Sequence, residues 1–144
     1  MALKQDLTSI TTAAESHILS YCADITSPTF PTSTERAAKL ATYYLPKISL
    51  FTGGAPTQLS DQSLFVQLIS GPLDKIQGLA LEVIGHRVEA VAENSAVIWL
   101  SLRVDNKVEV SNLYFFRKGE DGKAGFEGGI FDGEVWLLKQ LGLA

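Results

Sequence analysis

Apolar residues near the start of the chain recur at steps of three and four. Leu3, Leu7, Ile10, Ala14, Ile18, Tyr21 and Ile25 form one stripe, with Lys4, Gln5, Ser9, Thr12 and Glu15 opposite. That period predicts an amphipathic helix. It should end at the Ser27-Pro28 and Phe30-Pro31 loop, because a residue before proline avoids the α region. Thr32 and Glu35 have capping-box spacing and open a second helix. Ala37, Ala38, Leu40, Ala41 and Tyr44 should be its buried face and Pro46 its stop. Residues 47–52 alternate as a short strand closed by Gly53-Gly54. A third helix is expected over about 60–69, with Leu64, Phe65, Leu68 and Ile69 as its apolar side. Ser60 would be its N-cap, Asp61 would favour the positive end of its dipole, and Gly71-Pro72 would terminate it. Residues 74–78 would add a short turn.

From residue 79 the pattern becomes that of strands. Runs at 79–91, 96–104, 108–117 and 123–131 are separated by Glu93-Asn94-Ser95, Asp105-Asn106-Lys107 and Gly119-Glu120-Asp121-Gly122. Each break has turn chemistry and hairpin length. A helical turn over 134–141 closes the chain. Helices followed by an antiparallel meander read as α+β, with the helices on one face of the sheet. Ala96-Val97-Ile98-Trp99-Leu100 and Leu113-Tyr114-Phe115-Phe116 are apolar at both parities, so both sheet faces should be covered. Helices cover one face. The expectation for the other is a second copy, giving a homodimer through the sheet face. The alternative is a monomer covered by its own termini.

The 144 residues suit one domain spanning 1–144, and 46% hydrophobic content is ordinary for a globular chain. A net charge of −4 with scattered Lys and Arg argues against a nucleic-acid partner. No run of eighteen apolar residues predicts a membrane span, and the N-terminus lacks secretory-signal character, so a cytoplasmic protein is expected. Cys22 is the only cysteine and reads as a small core residue. No His or Cys spacing suggests a metal site, and no Gly-x-Gly-x-x-Gly, Walker or Gly-x-Ser-x-Gly pattern suggests a cofactor or nucleophile elbow. Any catalysis would be cofactor-free.

Several strings carry a resemblance. Tyr43-Tyr44-Leu45-Pro46-Lys47-Ile48-Ser49-Leu50-Phe51-Thr52-Gly53-Gly54 resembles the helix-to-strand junction of fungal SnoaL-like proteins of the nuclear transport factor 2 (NTF2)-like superfamily. His86-Arg87-Val88-Glu89-Ala90-Val91 with Ser95-Ala96-Val97-Ile98-Trp99 resembles their central hairpin. Residues 110–118 with 121–127 resemble their last hairpin, and Asp132-Gly133-Glu134-Val135 the turn into the final helix. The resemblance covers about residues 5–140. It implies a cone-shaped, curved antiparallel sheet packed on N-terminal helices around one pocket. It also implies secondary metabolism: isomerisation, cyclisation or dehydration of a small, apolar, oxygenated molecule. The superfamily also holds non-enzymatic transport and assembly domains, so the fold does not fix the function.

The candidate site follows from asking which polar groups would face that pocket. Val110-x-Asn112-x-x-x-Phe116 resembles the ketosteroid isomerase strand that carries an oxyanion-stabilising aspartic acid, with Asn112 at the matching position. Its amide could donate to a carbonyl oxygen but could not act as acid or base; alternatively it bonds backbone at an edge. Tyr114 shares that face as donor or aromatic wall. His86, after Gly85, could move a proton from a strand re-aimed by a bulge, or could be a structural rim histidine. Glu127, beside Gly128, could be a carboxylate of raised pKa in a cavity opened by glycines, or an exposed or dimer-facing charge. Glu82 is the other strand carboxylate.

His17 and Tyr21, one helical turn apart, could reach the pocket mouth together with Asp24. Scytalone dehydratase likewise has a tyrosine and an aspartate near the end of its first helix. Trp99, Ser101 and Arg103 share one strand face, where Arg103 is either a carbonyl clamp or exposed. Tyr44, Phe51, Phe65 and Phe126 would be pocket walls or core. The enzyme reading expects His86, Asn112, Tyr114 and Glu127 to converge on one cavity of about 300 Å³ or more, the usual size of ligand sites. The rival is a non-catalytic ligand-binding or assembly module. A peptide-docking transport domain is the third reading.

Overall fold

The computed structural model describes residues 2–143. Helix α1 runs Thr8–Ile25 and buries Ile10, Ala14, Ile18, Tyr21 and Ile25, the predicted stripe less its first two members, together with Cys22. Leu3 precedes the helix and is exposed. Helix α2, Ser33–Ala41, is capped by Thr32, whose side chain accepts from the Glu35 amide at 3.1 Å. It ends before Pro46, because Tyr44 already belongs to strand β1, Tyr44–Thr52. Strand β2, Ala55–Leu59, was not foreseen; it pairs antiparallel with β1 across the Gly53-Gly54 turn, where both glycines have positive φ.

Helix α3 spans Gln62–Lys75 and differs from expectation at both ends. Asp61, not Ser60, is the N-cap, accepting from the Leu64 amide at 3.1 Å. The helix continues through Gly71-Pro72, its packing on α2 offsetting the hydrogen bond that proline cannot make.

Strands β3 (Leu81–Ala92), β4 (Ser95–Val104), β5 (Val108–Lys118) and β6 (Ala124–Ile130) form the expected meander, and α4 (Asp132–Gln140) closes it. Asp105 and Asn106, both at φ 55°, make the tight β4–β5 turn. The sheet order is β2-β1-β6-β5-β4-β3. The pairing of β1 with β6 is parallel, so the sheet is mixed rather than wholly antiparallel. Glycine permits that pairing: a Cβ at Gly128 would overlap the Ser49 carbonyl of β1.

The helices lie on one face of the curved sheet, the α+β arrangement anticipated above. Inner residues Ile98, Leu100, Val104, Tyr114, Phe116 and Phe126 are almost fully buried. The outer-face residues Val97, Trp99, Leu113 and Phe115 keep partial exposure. Among the described residues no helix is long and apolar enough to cross a membrane.

Candidate functional site

Between the inner face of the sheet and the helices lies a cavity of about 200 Å³. Its walls are largely aliphatic: Ile25, Leu40, Leu50, Ile69, Leu102 and Val110 are among them. Leu68 of α3 lines it and is 45% exposed, so α3 forms the rim. Tyr21, Tyr44, Asn112 and Glu134 supply the main polar groups.

These groups form a directed chain. Asn112 Nδ2 donates to Glu134 Oε1 at 3.2 Å and to the Tyr114 hydroxyl at 3.4 Å. Tyr114 donates to the Tyr21 hydroxyl at 3.5 Å. Tyr44 also lines the cavity and presents its hydroxyl there. The tyrosine rings pack edge to face, Tyr21 on Tyr114 at 5.4 Å and Tyr44 on Phe126 at 5.2 Å.

Burial raises all three phenols well above their ordinary value, so they serve as donors and not as bases. Burial also pushes the Glu134 carboxyl up to about 7, opposed in part by the Asn112 amide. The residue as a whole keeps some surface, but its carboxyl turns inward beneath α4. A carboxyl that changes charge near neutrality, beside a phenol that can donate, is equipped to move a proton to and from a bound molecule.

The sequence candidates divide. Asn112, Tyr21 and Tyr44 line the cavity, with Tyr114 directly behind. Phe126, fully buried, supports Tyr21, Tyr44 and Tyr114 from below. The others sit elsewhere. His86 follows a β-bulge between Val83 and Gly85, as its Gly-His context suggested, but its Nε2 bonds Glu15 Oε2 at 2.7 Å beneath α1. Glu127 Oε2 accepts from Arg117 Nε at 2.6 Å, away from the cavity. The glycine beside it makes room for the β1 backbone, not for a ligand.

His17 donates Nε2–H to the Tyr43 carbonyl at 2.9 Å, and burial lowers its pKa, so it is a neutral packing group. Asp24 accepts from the Tyr43 hydroxyl. Phe51, Trp99 and Arg103 belong to the outer face: Phe51 is 39% exposed, Trp99 stacks under Arg87, and Arg103 pairs with Glu82 and Glu109. Parity explains this, because Trp99 and Arg103 alternate with the buried Ile98, Leu100 and Leu102. The expected four-residue convergence on about 300 Å³ therefore does not occur.

Sequence reasoning missed Glu134, which it read as part of a turn. A signal existed: Leu137, Leu138 and Leu141 follow at three, four and seven positions, which places the carboxylate on the apolar stripe of α4. Gly133 lets that helix start close to β5, since a Cβ there would meet Val110 Cγ2 at 2.6 Å.

No protein-family model matches the chain, and no curated protein matches its sequence. Solved structures do. An NTF2-like protein of unknown function from Pseudomonas putida KT2440 aligns over 87% of each chain at TM-score 0.66 and 12% identity. A cystatin-like-fold domain of unknown function from Nostoc punctiforme aligns over 92% of this chain and 85% of that one, at TM-score 0.62 and 20% identity. A candidate ketosteroid isomerase from Shewanella frigidimarina aligns over 82% and 93%, at TM-score 0.59 and 10% identity. This chain has the NTF2-like, cystatin-like fold.

Proposed function

We propose that the cavity binds a small, apolar, oxygenated molecule and that Glu134 transfers a proton on it, without a cofactor, as in an isomerase, cyclase or dehydratase. The carrying observation is the lone carboxyl of Glu134, held at the wall by Asn112 and raised to about 7. A carbonyl oxygen would accept from Tyr44, whose hydrogen bond strengthens as an enolate forms. Glu134 would take the acidic C–H proton and return it at a second position. The aliphatic walls would keep water from competing. The resemblance to fungal SnoaL-like proteins supports a place in cytoplasmic secondary metabolism. A candidate ketosteroid isomerase among proteins of the same fold agrees with this chemistry.

Hydrogen–deuterium exchange at the α-carbon of cyclohexanone, followed by NMR, tests the reading. The protein should accelerate exchange, with a rate rising through about pH 7 as Glu134 ionises. Glu134→Gln should lower that rate by about 10²–10⁴-fold. Acceleration that survives the substitution removes Glu134 from the chemistry. No acceleration by the unaltered protein favours a non-catalytic binding module.

We also infer that the outer sheet face pairs with a second copy of the chain. Trp99, Leu113, Ile130 and Phe51 stand in register across four adjacent strands, a continuous apolar row on the helix-free face. Sedimentation should report a dimer that Trp99→Glu converts to a monomer, because the introduced charge would be buried at the contact. A monomer at all concentrations would refute this pairing.

A further inference from the structure

Asn112 is 5% exposed, and the two ends of its amide are not treated alike. The amide nitrogen is committed within the protein, to Glu134 and to Tyr114. The carbonyl oxygen, Oδ1, is buried and without a partner. Among the described residues it is the one buried side-chain polar atom left in that state. Sequence reasoning expected the amide to offer a donor to a ligand oxygen; the geometry leaves an acceptor.

An unpaired buried acceptor costs about as much as a lost hydrogen bond. This one belongs to a residue that lines an apolar cavity, and the oxygen itself is closed to solvent, so an occupant meets it once the amide yields slightly toward the cavity. The orientation is fixed where Glu134 is ionised, above about pH 7. A carboxylate at Glu134 needs the amide's N–H groups facing it, and the Tyr114 hydroxyl already donates to Tyr21, so it too needs a donor from Asn112. Reversing the amide would set its oxygen against a carboxylate oxygen. Elsewhere on the cavity wall stands the Tyr44 phenol, whose hydroxyl can donate. The cavity wall therefore brings together a phenol donor, Tyr44, and an acceptor that no protein group meets, Asn112 Oδ1.

We propose that the molecule bound here is a hydroxylated carbonyl compound, whose hydroxyl donates to Asn112 Oδ1 while its carbonyl accepts from Tyr44. The assignment rests on the preceding reading of the cavity as the ligand site, and narrows its ligand class. A neutral hydroxyl suits the aliphatic walls better than a cation, whose desolvation there would cost far more. A ketone with no hydroxyl would leave Oδ1 unpaired and bind more weakly. Asn112 is then a specificity residue: it selects the donor-bearing ligand and takes no proton itself.

The test uses a matched set of small aromatic probes, 4-methylphenol, 4-methylanisole and toluene, titrated by ligand-observed NMR. The hydroxyl of 4-methylphenol can donate; the methoxy oxygen of 4-methylanisole can only accept. The unaltered protein should bind 4-methylphenol about tenfold or more tightly than 4-methylanisole. Asn112→Leu should abolish that preference while still binding toluene. Retention of the preference in Asn112→Leu overturns the assignment, because another group is then reading the hydroxyl. Equal binding of the first two probes by the unaltered protein also overturns it, yet leaves the exchange activity of Glu134 standing. Binding of none of the three removes the cavity reading and this assignment with it.

A second measurement needs no variant. The Asn112 side-chain carbonyl carbon should shift downfield with 4-methylphenol and stay in place with 4-methylanisole. No shift with 4-methylphenol contradicts the proposed hydrogen bond.

Discussion

Glu134 and Glu127 are both glutamates beside strand β5, yet they have opposite surroundings. Glu127 sits at an irregularity of β6 and faces the Arg117 guanidinium 2.6 Å away, both side chains partly exposed. Glu134 lies on the other side of the sheet, under α4, with an amide and a cavity before it and no cation. Burial without a cation partner pushes the Glu134 carboxyl up to about 7. The two faces of the sheet thus give one glutamate a cation partner and the other an amide and an apolar cavity. Residue type alone does not distinguish them.

The largest expected difference between the faces concerns packing. Phe126 is fully buried against His17, Tyr21, Tyr44 and Tyr114, whereas Phe51 is 39% exposed on the outer face. Phe126→Ala should cost about 3–5 kcal/mol in urea unfolding. For Phe51→Ala, measured at a concentration where the chain is monomeric, the loss should stay under about 1 kcal/mol. Similar losses at both sites would mean that the outer face is covered within one chain.

Next in size is the pH dependence of stability. The folded state binds the Glu134 proton more tightly than the unfolded chain, since its value is about 7 against an ordinary 4.5. Stability should therefore be level below about pH 4.5, fall as pH rises through about 7, and level again above that. The full drop should be on the order of 3 kcal/mol. In Glu134→Gln this component of the slope should vanish, and thermal melts at pH 5 and pH 8 would reveal it. In Glu127→Gln it should persist; its loss there would exchange the roles of the two carboxylates.

Tyr114→Phe removes the link between Asn112 and Tyr21 without opening a void. It should cost about 1–2 kcal/mol, the usual penalty for unpairing buried partners. The smallest effect belongs to the outer ion pair: Arg117→Ala should cost under about 1 kcal/mol, and less in high salt. A larger loss at Arg117 than at Tyr114 would reverse the ranking of the faces.

Most of the fold could be read from the chain. The helix stripe from Ile10 to Ile25, the Thr32 cap, and the Asp105-Asn106 turn follow from local periodicity and local hydrogen bonding. The parallel contact of β1 with β6 could not, because it joins residues about eighty positions apart and depends on Gly128, whose use is visible only against the Ser49 carbonyl. The same limit governed the site. Asn112, Tyr114, Tyr21 and Tyr44 were legible because strand parity and helix period put them on inner faces. Trp99 and Arg103 were misplaced by choosing the wrong parity, and His86 by not foreseeing its Glu15 partner across the fold. Glu134 lay on a legible stripe, but its importance comes from burial opposite Asn112, a tertiary fact.

The central claim is that an unpaired carboxyl at the cavity wall changes charge near neutrality. A pH titration of the Glu134 side-chain carbonyl carbon by NMR reads this directly. The account predicts a midpoint at about 7. A midpoint near 4.5, the ordinary value for glutamate, would contradict it.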